Sequence, residues 1–147
     1  MLSKMITAKF IKVEEECVDW KEVIIKGAKL LEDAGLVEER YKDEILNNFQ
    51  ELGPYMVIAP GILLSHARPE SGVIETGISI MTLKNPIEFG SELNDPVKLV
   101  ITLAAKDSTG HMDMLAKLME LLMNKEDLSK VFNAKSIKDI ENIINKY

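Results

Sequence analysis

Residues 97–105, VKLVITLAA, constrain the fold more than any other stretch of the chain. Side chains alternate between the two faces of a strand, and here, Lys98 and Thr102 aside, both faces are apolar. Such a strand belongs in the middle of a sheet with helices packed over it. Three more short apolar runs can supply its neighbours: YMVIA at 55–59, GILLS at 61–65 and GISIMTL at 77–83. Pro, Gly and Asn-Asp separate them, as expected of strand ends. ITAKFIKVEEE, residues 6–16, alternates weakly and reads as an edge strand or an extended lead-in.

On either side of this block the apolar period is helical. In residues 19–35, DWKEVIIKGAKLLEDAG, Asp19 is placed to cap, with Glu22 as its capping-box partner. Trp20, Val23, Ile24, Gly27, Leu30, Leu31 and Ala34 share one face, and Gly35 ends the run. Residues 38–53 repeat the pattern through Tyr41, Ile45, Phe49 and Leu52 up to Gly53. Beyond KDSTG, residues 111–123 place Met112, Leu115, Leu118, Met119 and Leu122 on a stripe. Residues 125–134 and 136–147 read as two further helices, the second capped by Ser136. Helices, then strands, then helices predict an α/β sandwich with a mixed sheet. With no repeat, low-complexity tract or linker, residues 1–147 read as a single domain.

The net charge of −6 argues against nucleic acid, whose phosphates need a cationic face. Cys17 is the only cysteine, so no internal disulfide can form. No apolar run approaches the ~20 residues of a membrane helix, and the N-terminus lacks the core of a secretory signal. A cytoplasmic protein is expected, without direct insertion into a membrane.

The chain has two histidines. His66 stands where an apolar strand opens into a Pro- and Gly-marked loop, in ILLSHARPESG at 62–72. His111 stands where the last strong strand hands over to a helix beginning near Gly110. Both therefore lie near strand ends, where α/β sheets bind ligands. The positive end of the helix dipole disfavours a charge on His111, which is expected to be neutral near pH 7. Arg68 offers a forked cation to an oxyanion, and Ser65 offers a hydroxyl. Two histidines far apart with one distant cysteine make no zinc signature. There is no Walker A loop, no GxGxxG and no nucleophile elbow. Neither a metal nor a cofactor is expected. The eight methionines read as helix core.

Taken together, residues 53–111, GPYMVIAPGILLSHARPESGVIETGISIMTLKNPIEFGSELNDPVKLVITLAAKDSTGH, resemble the enzyme IIA domain of the bacterial phosphoenolpyruvate-dependent sugar phosphotransferase system (PTS). The resemblance is to the mannitol–fructose class (type 2), in the branch associated with L-ascorbate. It rests on GPYMVIAPG before the histidine, RPESGV after it, NDPV before the last strand and LAA-x-D before the second histidine. It extends upstream through DWKEVIIKGAKLLEDAGLVEERY and covers about residues 15–147.

The resemblance implies a mixed five-stranded sheet flanked by helices on both faces, the mannitol-type IIA fold. It also implies a phosphotransferase component (EIIA) with a phosphohistidine intermediate. His66 would accept a phosphoryl group from the carrier HPr and pass it to a cysteine of the cognate EIIB, which works with the membrane component EIIC. His111 would hydrogen-bond and position that group without carrying it. No metal or nucleotide is implied. The sequence departs from the family where Ser65 stands in place of the usual proline before the acceptor, and Leu63 in place of a common small residue. Three alternatives are weighed beside this reading. They are a regulatory IIA-like protein that signals its phosphorylation state to a partner, a related pentose or pentitol system, and a metal- or ligand-binding module using both histidines.

Overall fold

A computed structural model describes residues 2–147. Its five strands are β1 (Ile11–Glu15), β2 (Val57–Ala59), β3 (Ile62–Ser65), β4 (Gly77–Ile87) and β5 (Val97–Ala104). They form one sheet in the order β1-β4-β5-β3-β2. β1 and β4 are parallel, as are β3 and β5, while β4–β5 and β2–β3 are antiparallel. The mixed sheet is as expected, and VKLVITLAA is its middle strand. Every residue from Leu99 to Ala104 is buried, so helices or loops cover both faces.

Six helices surround the sheet: α1 (Leu2–Met5), α2 (Trp20–Asp33), α3 (Arg40–Leu52), α4 (Ser108–Met123), α5 (Lys125–Phe132) and α6 (Ile137–Ile144). α2 lies across β3, β4 and β5, with α3 against α2. α6 reaches β1 and packs against α1 and α5, and α4 packs against the same two helices. The expected caps form: Asp19 Oδ1 accepts from Glu22 N at 2.9 Å, and Ser136 Oγ accepts from Asp139 N at 3.2 Å. Gly53 adopts φ +80°, where a side chain would be strained, and its N–H donates to Phe49 O at the end of α3. No helix among the described residues is long and apolar enough to cross a membrane.

Three details differ from the sequence reading. β4 runs on through Lys84, Asn85, Pro86 and Ile87, because pairing with β5 continues to Ile87↔Val97 after a break in register. α4 starts at Ser108, capped by Asp107, whose Oδ1 accepts from Gly110 N at 2.7 Å. His111 therefore sits a full turn inside the helix. The buried face of α4 is also rotated: Met114, Leu118 and Leu121 are buried, while Met112 is 69% exposed. Leu115, Leu118 and Leu122 fit either stripe, so the periodicity left the choice to tertiary packing.

Gly27 sets the depth at which α2 lies on the sheet. A Cβ at Gly27 would stand 2.6 Å from Thr102 Oγ1, and Gly27 O accepts from Ser79 Oγ at 3.1 Å. Thr102 pairs with Ser65 on one side and Ser79 on the other, so the three hydroxyl-bearing residues share the face beneath α2. Replacing Gly27 by alanine forces helix and sheet apart. Gly27→Ala is expected to lower stability by about 1–3 kcal/mol in chemical denaturation. Thr102→Ala in the same chain, which removes the obstructing oxygen, is expected to recover part of that loss.

The last residues are fastened through α5. Asp127, 4% exposed, accepts from Tyr147 Oη at 2.5 Å and from Lys146 Nζ at 2.9 Å. The Tyr147 and Lys146 hydrogen bonds hold the Asp127 carboxyl below the usual carboxylate range, while the bond to Asp127 pushes the Tyr147 hydroxyl up to about 12. A depressed carboxyl contributes stability that is complete above the ordinary carboxylate range and is lost as pH falls through its folded-state value. A raised tyrosine contributes stability that is lost as pH climbs from about 10 through its folded-state value. Asp127→Asn is therefore expected to lower the melting temperature at neutral pH and to flatten both the acid and the alkaline limbs of a Tm-against-pH curve.

Candidate functional site

The ladder between the parallel strands β3 and β5 ends with Ser65 paired to Thr102. Past that point they diverge. The His66 loop leaves from one strand, and the turn into α4 leaves from the other. A cleft of about 730 Å³ opens between them, lined by His66, Ala67, Arg68, Pro69 and Ser71 from the loop and by Leu103, Ala105, Asp107, Ser108 and His111 from the other wall. Glu44, Asn48, Glu51 and Leu52 of α3, with Tyr55, complete it. The fold thus brings both histidines and Arg68 to one cavity, although His66 and His111 are far apart in sequence.

His66 is half-buried, and its Nδ1 lies 2.9 Å from Leu64 O. A carbonyl oxygen can only accept, so the contact calls for a proton on Nδ1, and in the neutral ring this leaves the Nε2 lone pair free. Tyr55 meets the ring edge-on, with centroids 6.3 Å apart and planes at 80°. Arg68 is exposed and forms no ion pair among the described residues. The cleft's other charged residues are Glu44, Glu51 and Asp107, and Asp107 is engaged as the α4 cap. An oxyanion here meets two imidazoles and one arginine, surrounded by carboxylates.

His111, also half-buried, is held by a well-fastened turn. Lys106 N donates to Thr76 Oγ1 at 3.0 Å, Gly110 N to Asp107 Oδ1, and His111 N to Asp107 O at 3.2 Å.

Ser65 is not brought to the cleft. It is wholly buried at the end of β3, on the face beneath α2, and its Oγ has no hydrogen-bond partner among the described residues. The hydroxyl that the sequence offered as a phosphoryl contact points into the protein instead, because Ser65 is still paired into the sheet and His66 is the first residue to leave it.

Sequence reasoning treated Tyr41 as an ordinary core position, and its ring is indeed fully buried. Its hydroxyl, however, accepts from Ala67 N at 3.0 Å and donates to Leu103 O at 2.6 Å. A buried tyrosine among aliphatic positions carries a signal of its own, since its hydroxyl must find partners. The lining from α3 was also missed. Glu44, Asn48 and Glu51 recur along one face of that helix, and Leu52, expected in the core, is 66% exposed beside them.

Residues 4–147 match the family model described as phosphoenolpyruvate-dependent sugar phosphotransferase system, EIIA 2. The chain is 37% identical over 139 residues to the ascorbate-specific PTS system EIIA component of Escherichia coli K12, covering 94% of this chain and 90% of that protein. Among solved structures, the mannitol-specific cryptic phosphotransferase enzyme IIA CmtB from Escherichia coli superposes with a TM-score of 0.91, at 34% identity and with 99% of each chain covered. The IIAMTL chain solved in complex with phosphorylated IIBMTL from Escherichia coli superposes at 0.84, with 21% identity and coverage of 96% of this chain and 97% of that one, a likeness of fold. The fold, the cleft between β3 and β5 and these matches lead to one conclusion: the chain belongs to the EIIA type 2 family, the phosphotransferase components that carry phosphoryl groups in the sugar phosphotransferase system.

Proposed function

We propose that His66 carries the phosphoryl group, on Nε2, receiving it from phospho-HPr and delivering it to a cysteine of a cognate EIIB in the cytoplasm, within one domain spanning the chain. The observation that carries this reading is the Nδ1···O contact between His66 and Leu64, 2.9 Å long. It selects the tautomer whose Nε2 is nucleophilic, at the wall of a cleft shared with His111 and Arg68.

That arrangement dictates the chemistry. The Nε2 lone pair attacks phosphorus as the P–N bond to the donor imidazole breaks, and the donor ring leaves with the electron pair. The His66 ring gains positive character, which the Leu64 carbonyl stabilises through the Nδ1 proton. In the second transfer a cysteine thiolate of EIIB attacks the same phosphorus, and the electrons of the breaking P–N bond return to Nε2. Such exchanges depend on positioning and on donors to the equatorial oxygens. His111 and Arg68 supply those donors. With Glu44 and Glu51 nearby, the cleft holds a phosphoryl group without the dense cationic cage that would trap it. Leu52 and Tyr55, both exposed in the cleft lining, fit a surface that two partner proteins visit in turn.

L-ascorbate is the sugar we assign to the system. The support is the name of the 37% identical relative together with its coverage of 94% of this chain. The sugar itself is handled by other components.

The test is the intact mass of the protein after incubation with phosphoenolpyruvate, enzyme I and HPr. The wild type and His111→Ala are expected to gain one acid-labile phosphoryl group, and His66→Ala none. His111→Ala is expected to gain it about a hundredfold more slowly, as when one donor to a developing oxyanion is lost. Addition of a purified ascorbate EIIB is expected to discharge the group onto its cysteine. A wild type that gains no mass would sink the carrier reading. A phosphorylated protein that no EIIB discharges would favour a regulatory role. An independent check is the ¹⁵N spectrum of the unphosphorylated protein near pH 8, which is expected to show a protonated Nδ1 and a bare Nε2 at His66.

A further inference from the structure

We infer that the Tyr41 hydroxyl is a positioning group for the relay: one oxygen atom ties the His66 loop to the strand end that leads to His111, and so fixes how the two imidazoles face each other. This role presupposes that His66 carries the phosphoryl group.

The place of that oxygen in the sheet is what distinguishes it from core packing. The parallel ladder of β3 and β5 runs through Ile62↔Leu99, Leu63↔Val100, Leu64↔Ile101 and Ser65↔Thr102, then stops. One step further, His66 would stand opposite Leu103. There the hydroxyl takes the place of the missing rung, accepting from Ala67 N at 3.0 Å and donating to Leu103 O at 2.6 Å. Ala67 O, at 3.3 Å, is a second and longer acceptor.

Each partner is close to a histidine along the chain. The Ala67 N–H belongs to the peptide unit that joins Ala67 to His66. The Leu103 carbonyl lies a few residues before the Asp107 cap of the helix bearing His111. Leu64 O thus holds the His66 ring, and Tyr41 anchors the peptide that follows it. Burial pushes the Tyr41 hydroxyl up to about 12, so the bridge stays protonated throughout the range in which histidines titrate. Phenylalanine would fill the same space, so only the oxygen explains the bridging. Without it, the Ala67 N–H and the Leu103 carbonyl lose this partner in a largely dry setting.

Tyr41→Phe in the full chain is the test, with phospho-HPr as donor and temperatures well below unfolding. Ile45→Val, one turn along the buried face of α3, serves as the control for lost packing alone. The maximal single-turnover rate of phosphoryl uptake by Tyr41→Phe is expected to fall about tenfold or more, with half-saturation by the donor changed by less than about twofold. The Ile45→Val control is expected to keep the wild-type rate. A wild type that is not phosphorylated on His66 would overturn the carrier reading and this role with it. If the wild type is phosphorylated there and Tyr41→Phe matches its maximal rate, the positioning role alone falls. Should Tyr41→Phe fail to fold, amide hydrogen exchange in the wild type decides. Protection of Ala67 N–H comparable to the core of β5 is expected, and rapid exchange would overturn the bridge.

Discussion

The parallel pairing of β3 with β5 is the constraint on which the rest of this molecule depends. Parallel neighbours cannot be joined by a tight turn, so the chain must travel through β4 and its loops between them. Both strands then finish at the same end of the sheet, and their continuations line one cleft there. One continuation carries His66, and the other leads into the helix bearing His111. Because β5 is buried on both faces, its position is fixed by packing from above and below, and the end of β3 inherits that fixity through its ladder. Gly27 contributes by letting α2 settle closely over Thr102. The His66 loop is thereby mounted on the buried centre of the sheet, while its own residues are half-buried or exposed.

A relay imposes requirements different from those of a binding site. The group must be held well enough to be oriented and loosely enough to leave. The cleft suits both through an imidazole whose Nδ1 faces a main-chain carbonyl, a second imidazole on a capped helix, and one exposed arginine among carboxylates. Exposed Leu52 and Tyr55 line the same cleft, so polar groups and exposed apolar area lie together. The acidic balance of the chain suits partners that present basic surfaces.

Much of this was legible in the linear sequence. The two-sided apolar character of residues 97–105 marked the central strand, and Asp19, Ser136 and Gly53 marked helix ends correctly, because strand burial and capping are local consequences of residue type. The less legible features were those in which two arrangements satisfied the same pattern. Met112 and Met114 belong to rival stripes of α4 that share three leucines, and only contact with the rest of the protein could choose between them. Leu52 continued an apolar face past the point where the core ends. Ser65, adjacent to His66, could be read as facing the cleft or the interior, since alternation along a strand says nothing about where the strand stops.

The sequence by itself determined the class of fold, the family and the two histidines, because those rest on residue types and spacings written along the chain. Tertiary structure alone decided that His66 and His111 line one cavity, that Ser65 turns inward, and that Tyr41 bridges the two walls. The physical reason is that these relations are made across the sheet. They depend on the register of β3 against β5 and on the depth of the helices over them, quantities that no local stretch of the chain encodes.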